Sequence, residues 1–335
     1  MVPLDGCNAA MALSVDGNPF YGDISPYWGG ANAVAEAMRN VASVGAVPQA
    51  LTDCLNFGNP EKPNAFWEFD DAVRGLSDAA KSIWLKGYEN QPVPIISGNV
   101  SLYNESAAGS SVSPSAIIAC VGTMPDYSKA VTMQLKAAGD TLYLIGPRKD
   151  ELGGSAYYRA MGQGLGANVP QVDFELHRRM IYAITEAIQA GHIAACTDIA
   201  DGGLATAVAE MMLGSYARGR LGAHLDLQIT DPDGTDPSAW EEAPHARSLR
   251  THLHELGRSK GHALPVRQGD DATFLIELIE RHAPHPGHPV GPSSESLAAV
   301  PSAESAPPPA DCPATACRSA SIPNISRTAA RSSCP

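Results

Sequence analysis

The sequence predicts a mixed α/β chain, built as two structured units followed by a tail without a packed core. Three observations carry this. Apolar strand-like runs alternate with amphipathic helical stretches from Met1 to about Leu227, without a long repeat. A polar link near Asp126–Lys129 separates two such sets and places the boundary within 126–139. After about Asp231 the composition changes: fifteen of the 27 prolines and seven of the ten histidines fall in the last 105 residues. Such a stretch buries too little surface to offset its chain entropy, so 231–335 is expected to be disordered.

The elements follow in order. "ALSVDGN" (12–18) reads as a strand. "GGANAVAEAMRNVASVGA" (29–46) reads as an amphipathic helix, with Ala31, Val34, Ala35, Met38 and Val41 on one face and Gly45 as its stop. "VPQALTDCLNFG" (47–58) is a strand entering a loop, and "FDDAVRGLSDAAKSIWLKG" (69–87) a second helix. "VPIISGNVSLYN" (93–104) and "SAIIACVGTM" (115–124) are further strands. "DTLYLIGP" (140–147) opens the second unit. It continues through a helix at 173–191, a strand at 193–200 and a helix at 202–213. One segment of the tail, "ATFLIELIE" (272–280), is an exception and reads as a strand or a helical turn.

The 335 residues carry a net charge of −13. Without clustered Lys/Arg, neither nucleic acid nor an anionic membrane is expected as a partner. A metal–nucleotide complex remains compatible, because the metal brings its own positive charge. The first fifteen residues have no basic stretch followed by an apolar core, and no window holds about 18 consecutive apolar residues. The seven cysteines lack a C-x-x-C pair. A cytoplasmic chain with reduced thiols is the expectation.

Four short strings carry candidate chemistry. In "TDCLNFGNPEKP" a strand delivers Asp53 to a Gly/Asn loop, where it suits a nucleotide's polar groups or its metal; an Asx turn is the competing reading. Cys54, its neighbour, would then pack inward. In "SGNVSLYNE", Gly98 permits close approach of a ligand, Asn99 offers a hard neutral oxygen suited to Mg²⁺, and Ser101 shares the face of Asn99. A β-bulge at Gly98 with solvated polar residues explains the string as well. "DELGGSAYY" (150–158) has the Gly153-Gly154-Ser155 turn, compatible with an anion or with an ordinary strand-to-helix connection. In "TDIADGGLATAVAE", Asp198 and Asp201 flank a turn, and Asp201 reads most simply as a helix N-cap. The Walker A lysine and the G-x-G-x-x-G spacing are both missing. No histidine occurs before His177, and His177 and His192 are expected at the surface.

In their order and spacing these strings resemble a known family. "DISPYWGGANAVAEAMRNVASVGAVPQALTDCLNFGNPEKP", "PVPIISGNVSLYNES", "DELGGSAYY" and "TDIADGGLATAVAE" are similar to the second half of phosphoribosylformylglycinamidine synthase, synthetase (large) subunit. This family belongs to the aminoimidazole ribonucleotide synthetase-like superfamily. The resemblance covers roughly Ala12 to Leu227. It implies an α+β A-type domain over 1–125, forming half of a β-barrel with flanking helices. A shortened α/β B-type domain would follow over 130–230. Asp53 and Gly98 would contact ATP, Asn99 would bind Mg²⁺ and Ser101 would contact substrate.

The implied activity is ATP-dependent amidation of formylglycinamide ribonucleotide in purine biosynthesis. Ammonia would come from a glutaminase subunit, alongside a small accessory subunit. The catalytic histidine and most metal carboxylates of the family belong to a first half that this sequence lacks, so no catalytic residue is assigned. An A-type domain without its sibling would expose an unpaired sheet surface. Two other readings follow: a stand-alone nucleotide-binding homodimer, or an inactive fragment. For 231–335 a frame-shifted end is an alternative to disorder, which an intact in-frame resequencing read would exclude.

Overall fold

The chain is described by a computed structural model, over residues 1–138, 140–146, 149, 151–215, 221–223 and 274–278. These all lie in one compact body, Met1–His282, within which both structured units of the sequence reading fall. Apart from 274–278, the tail expected at 231–335 lies outside the described residues, as does Asp150.

The first sheet has the order β1-β2-β5-β3-β4. Its strands are β1 Val2–Pro3, β2 Ala10–Asp16, β3 Val47–Asn56, β4 Ile95–Ser101 and β5 Ser115–Met124. All neighbours are antiparallel except β3 and β4, which run parallel and leave β4 at the edge. Alternate residues divide the sheet. Ala12, Leu51, Leu55, Ile118 and Cys120 are buried against helices, while Leu13 (63% exposed), Val15 (68%) and Ile117 (37%) face outward on the other side. Leu13, Val15 and Ile117 thus give this sheet an exposed apolar face.

Helix α1 (Pro19–Ile24) runs into α2 (Pro26–Ser43), and Ser25 caps α2 by accepting from Trp28 N. Ser25-Pro26 is a strong start signal, a cap followed by proline at the first helical position. It explains why α2 begins three residues before the expected 29. Its end is as expected: Gly45 takes φ +93° and donates to Ala42 O. α2 is buried nearly all round, because it lies between the first sheet and the second unit. Helix α3 (Pro63–Ser82) packs on it so closely that a Cβ on Gly75 would stand 1.9 Å from Tyr27 O. α3 likewise begins before the expected 69, at a proline.

The second unit holds α4 (Ala156–Ala160), α5 (Phe174–Gln189) and α6 (Gly203–Gly214). Its sheet has the order β6-β8-β7, with β6 Thr141–Ile145, β7 Ile193–Asp198 and β8 Phe274–Leu278. The ambiguous segment 272–280 is therefore a strand. It occupies the centre of its sheet, antiparallel to both neighbours, with Leu278 opposite Thr141 and Ile193. Ile181, Ile184 and Ile188 of α5 and Ile193 and Cys196 of β7 join Met38, Val41 and Ile118 in one apolar core. Each such fully buried side chain contributes about 1.5–3 kcal/mol, so the two units share their main source of stability.

Candidate functional site

Strands β3 and β4 bring the four candidate residues of the first unit together. In register, Asp53 lies beside Gly98, Cys54 beside Asn99 and Asn56 beside Ser101. Neighbouring pairs share a face, so Asp53 and Gly98 look toward the helix side. Asn99 and Ser101 look toward the open side with Thr52 and Ser97, whose hydroxyls lie 2.7 Å apart. Because β4 is an edge strand, a ligand folded over that edge reaches both faces. The register irregularity falls at Ile96, between the Leu51–Ile95 and Thr52–Ser97 pairs, and not at Gly98. The expected inward packing of Cys54 is corrected: Leu51, Asp53 and Leu55 form the inward set. Cys54 is half-buried on the open face, opposite Ile117.

Gly98 has a local reason. A Cβ there would meet the Asp53 carboxylate at 2.4–2.6 Å. The carboxylate therefore rests on the backbone of β4. Burial alone raises its pKa; no hydrogen bond or ion pair to it is recorded among the described residues. A half-buried acid without a partner fits the donor groups of a nucleotide or a metal ion, and repels bare phosphate oxygens. Gly98→Ala should push this flexible side chain aside. We expect nucleotide affinity to fall by about tenfold, the loss of roughly one charge-assisted hydrogen bond, with the melting temperature nearly unchanged. Calorimetric titration beside a thermal melt checks this, and a large drop in melting temperature would count against it.

Asn99 is exposed and presents a single neutral oxygen. Among the described residues no group of three or more His, Cys, Asp or Glu is placed to hold a metal ion. Its oxygen suits one position of a hard cation such as an ion carried by a nucleotide's phosphates. The loops beyond the two strands are bolted together. Tyr103 N donates to Gly58 O (3.0 Å), Lys62 pairs with Glu105 (2.6 Å) and the Tyr103 hydroxyl donates to Glu61 (3.3 Å).

A second group lies where α2 meets the second unit; it joins Asp198, Asp201 and His177, named from the sequence, to Asp16, Glu36, Arg39 and Asn40, which were not. Its cleft is lined by Glu36, Arg39, Asp201, Asn18, Asn32 and His177, among others. Arg39 is buried; its Nε and Nη2 donate to Asp198 Oδ2 at 3.4 Å, and Nη2 also to Ile199 O at 3.3 Å. Asn40 donates to Asp16 Oδ1 (2.8 Å), while Asp16 Oδ2 is buried with no hydrogen-bond partner at bonding distance among the described residues. Desolvation raises the Glu36 pKa to about 7; Arg39 opposes the shift, and Asp16, Asp198 and Asp201 reinforce it. Asp16 and Asp53 both pair across Ile118, so they stand on one sheet face two strands apart, about 10 Å. The signal was in the sequence: Glu36, Arg39 and Asn40 lie at i, i+3 and i+4 on an otherwise Ala-rich helix.

Two further expectations are corrected here. His177 is 2% exposed, not at the surface; its Nε2 donates to Ala35 O (3.0 Å), and burial, aided by Arg39, lowers its pKa to about 3. Asp201 is not a helix cap: Gly202, at φ +87°, is the N-cap of α6 and Asp201 is exposed at the cleft. Asp198 is held by Arg39. In the Gly153-Gly154-Ser155 turn the Ser155 hydroxyl is committed to capping α4, accepting from Tyr158 N at 3.2 Å.

Residues 3–124 match the N-terminal domain of the AIR synthase related proteins, and residues 137–256 match the C-terminal domain. The chain belongs to this family. Within it, the chain is 62% identical over 284 residues to the phosphoribosylformylglycinamidine synthase subunit PurL of Methanothrix thermoacetophila, covering 83% of this chain and 36% of that one. It is 40% identical over 285 residues to PurL of Novosphingobium aromaticivorans, covering 82% and 38%. The fold matches Thermotoga maritima PurL complexed with FGAR at a TM-score of 0.60 and 20% identity, covering 83% of this chain and 39% of that one. The same protein complexed with ATP matches at 0.54 and 21%, covering 83% and 37%. The chain thus spans little more than a third of the length of these relatives.

Proposed function

We propose that the chain is the second A-type and B-type half of an ATP-dependent C–N ligase. In that role it amidates formylglycinamide ribonucleotide to the amidine in purine biosynthesis, in the cytoplasm. The observation that carries this reading is the Asp53 carboxylate, without a partner among the described residues, seated on Gly98 beside Asn99 and Ser101 in a chain 62% identical to a synthase subunit. The proposed allocation is A-type over 1–125 and B-type from 130. The second sheet includes β8, beyond the expected end at 230.

In this reading Asp53 and Gly98 hold ATP, Asn99 ligates its Mg²⁺, and Ser101 contacts the ribonucleotide. A bound Mg²⁺ neutralises charge on the triphosphate. The chain's own part is positioning: the edge of β4 sets nucleotide and substrate on the two faces of one strand. The γ-phosphoryl group passes to the amide oxygen of the substrate and ADP leaves. Ammonia then adds to that carbon, phosphate departs with the oxygen, and the amidine remains. Ammonia is supplied by a glutaminase subunit, with the small accessory subunit completing the complex.

The groups that move protons belong to the first-half chain, which covers the bare face of Leu13, Val15 and Ile117. Mixing the full chain with a first-half chain, ATP, Mg²⁺ and ammonia should release ADP and form amidine. No turnover, from two chains shown to associate, would refute the reading. The bare face also favours a second reading, a nucleotide-binding homodimer; a dimer in size-exclusion chromatography that binds Mg-ATP and ignores the first half would establish it. Asn99→Ala is expected to weaken Mg-ATP binding by about three- to tenfold, the worth of one ligand or hydrogen bond. The deficit should narrow as Mg²⁺ is raised. Unchanged affinity at every Mg²⁺ concentration would remove Asn99 from the metal.

A further inference from the structure

Ser101 is tied to a residue that no functional assignment includes. Asn104, three residues on, donates through Nδ2 to Phe57 O (3.1 Å) and to Ser101 O (2.9 Å). Its backbone N–H also donates to Phe57 O (3.2 Å), and its carbonyl accepts from Val112 N (3.0 Å). Both side-chain contacts are carbonyl oxygens, which only accept, so the amide nitrogen must face them. The carboxamide oxygen Oδ1 is thereby turned to Ser101 Oγ, 3.1 Å away. That oxygen has no proton to give. The Ser101 hydroxyl must donate, and its one proton is spent within the protein. The turn is also conformationally costly: Tyr103, between the two residues, sits at φ +60°. A non-glycine residue persists there only when its surroundings over-determine it.

We propose that Asn104 is a positioning residue that fixes Ser101 as a hydrogen-bond acceptor toward the ligand. Resting on the reading that Ser101 faces the ribonucleotide, this names the chemistry of the contact. With only lone pairs presented, Ser101 takes an N–H or O–H donor, such as an amide nitrogen or a ribose hydroxyl. It rejects phosphate and carboxylate oxygens, which offer no proton. The phosphate of the ribonucleotide is therefore held elsewhere, and Ser101 selects for the amide-and-sugar part of the substrate.

Two measurements on the full chain test this. In ¹⁵N-labelled protein without ligand, the Asn104 side-chain NH₂ should exchange slowly with solvent, and Ser101→Ala should shift its resonances. Exchange at the rate of an exposed asparagine overturns the proposal. In calorimetric titrations with formylglycinamide ribonucleotide, Ser101→Ala and Asn104→Ala should each lose about three- to tenfold in affinity, the worth of one hydrogen bond. The double variant should lie within about twofold of Ser101→Ala, because Asn104 acts through that hydroxyl. Mg-ATP affinity should change by less than about twofold. A merely structural role for Asn104 would reappear undiminished on the Ser101→Ala background, and that result overturns the proposal. A wild-type chain that ignores the ribonucleotide while its Asn104 amide stays protected would refute the substrate reading and leave the positioning of Ser101 supported.

Discussion

Arg39→Ala is expected to lower the unfolding free energy by about 3–5 kcal/mol, the scale for stripping one partner from a buried ion pair. The pair joins α2 to the end of β7, and both side chains are nearly enclosed, at 11% and 13% exposure. Removing the guanidinium leaves the Asp198 carboxylate with no counter-charge and frees the Ile199 carbonyl. It also takes away a cation that holds the Glu36 pKa down. Combining Arg39→Met with Asp198→Leu should recover roughly half the loss or more, since an apolar replacement of a whole pair is often neutral. Urea unfolding of the three proteins checks both statements. A loss below about 1 kcal/mol for the single variant would show that the pair is solvated and weak.

Glu36→Gln is expected to stabilise the protein by about 2–3 kcal/mol at pH 8 and hardly at all at pH 4.5. The sign follows from where the proton binds. The Glu36 pKa is about 7 in the folded chain against 4.5 for the free side chain, so between those values the folded state holds the extra proton. The stability this confers is fully present below about pH 4.5 and is lost as pH rises through about 7. Glutamine mimics the protonated acid and is indifferent to the change. His177 works in the opposite sense: its depressed pKa costs stability as pH falls below about 6.5. It is common to both proteins and cancels from their difference. A Glu36→Gln gain of equal size at both pH values would mean that Glu36 is ionised throughout.

What was legible from sequence follows the range over which each signal acts. The strand 115–124 was read with both its ends, because its alternation is unbroken and its neighbours are turn residues. The starts of α2 and α3 were missed, although Pro26 and Pro63 stand at first helical positions. There the Ser25 cap and the two prolines precede the first turn of clear apolar periodicity. The inward face of β3 was misjudged for a different reason. Its register shifts between Pro48 and Ala50, so Ala50 and Leu51 are both buried and the period of two is disguised. The burial of His177 and the meeting of Glu36, Arg39 and Asp198 depend on α5 and β7 packing against α2. That packing joins residues about 140–160 positions apart, beyond any local pattern. Asp53, Gly98, Asn99 and Ser101 stand out in sequence as local polar breaks in apolar strands, and the parallel register of β3 and β4 places them side by side.

The placement of β8 has a consequence for how the polypeptide is made. β6 and β7 are not hydrogen-bonded to each other; each waits for β8, which begins 76 residues after β7 ends at 198. At about 5–20 residues per second on the ribosome, that interval lasts about 4–15 s. The first sheet, complete in sequence by residue 124, has its partners at hand throughout. The second has two open strand edges until its middle strand emerges, and any translation product that stops between 198 and 274 keeps them open.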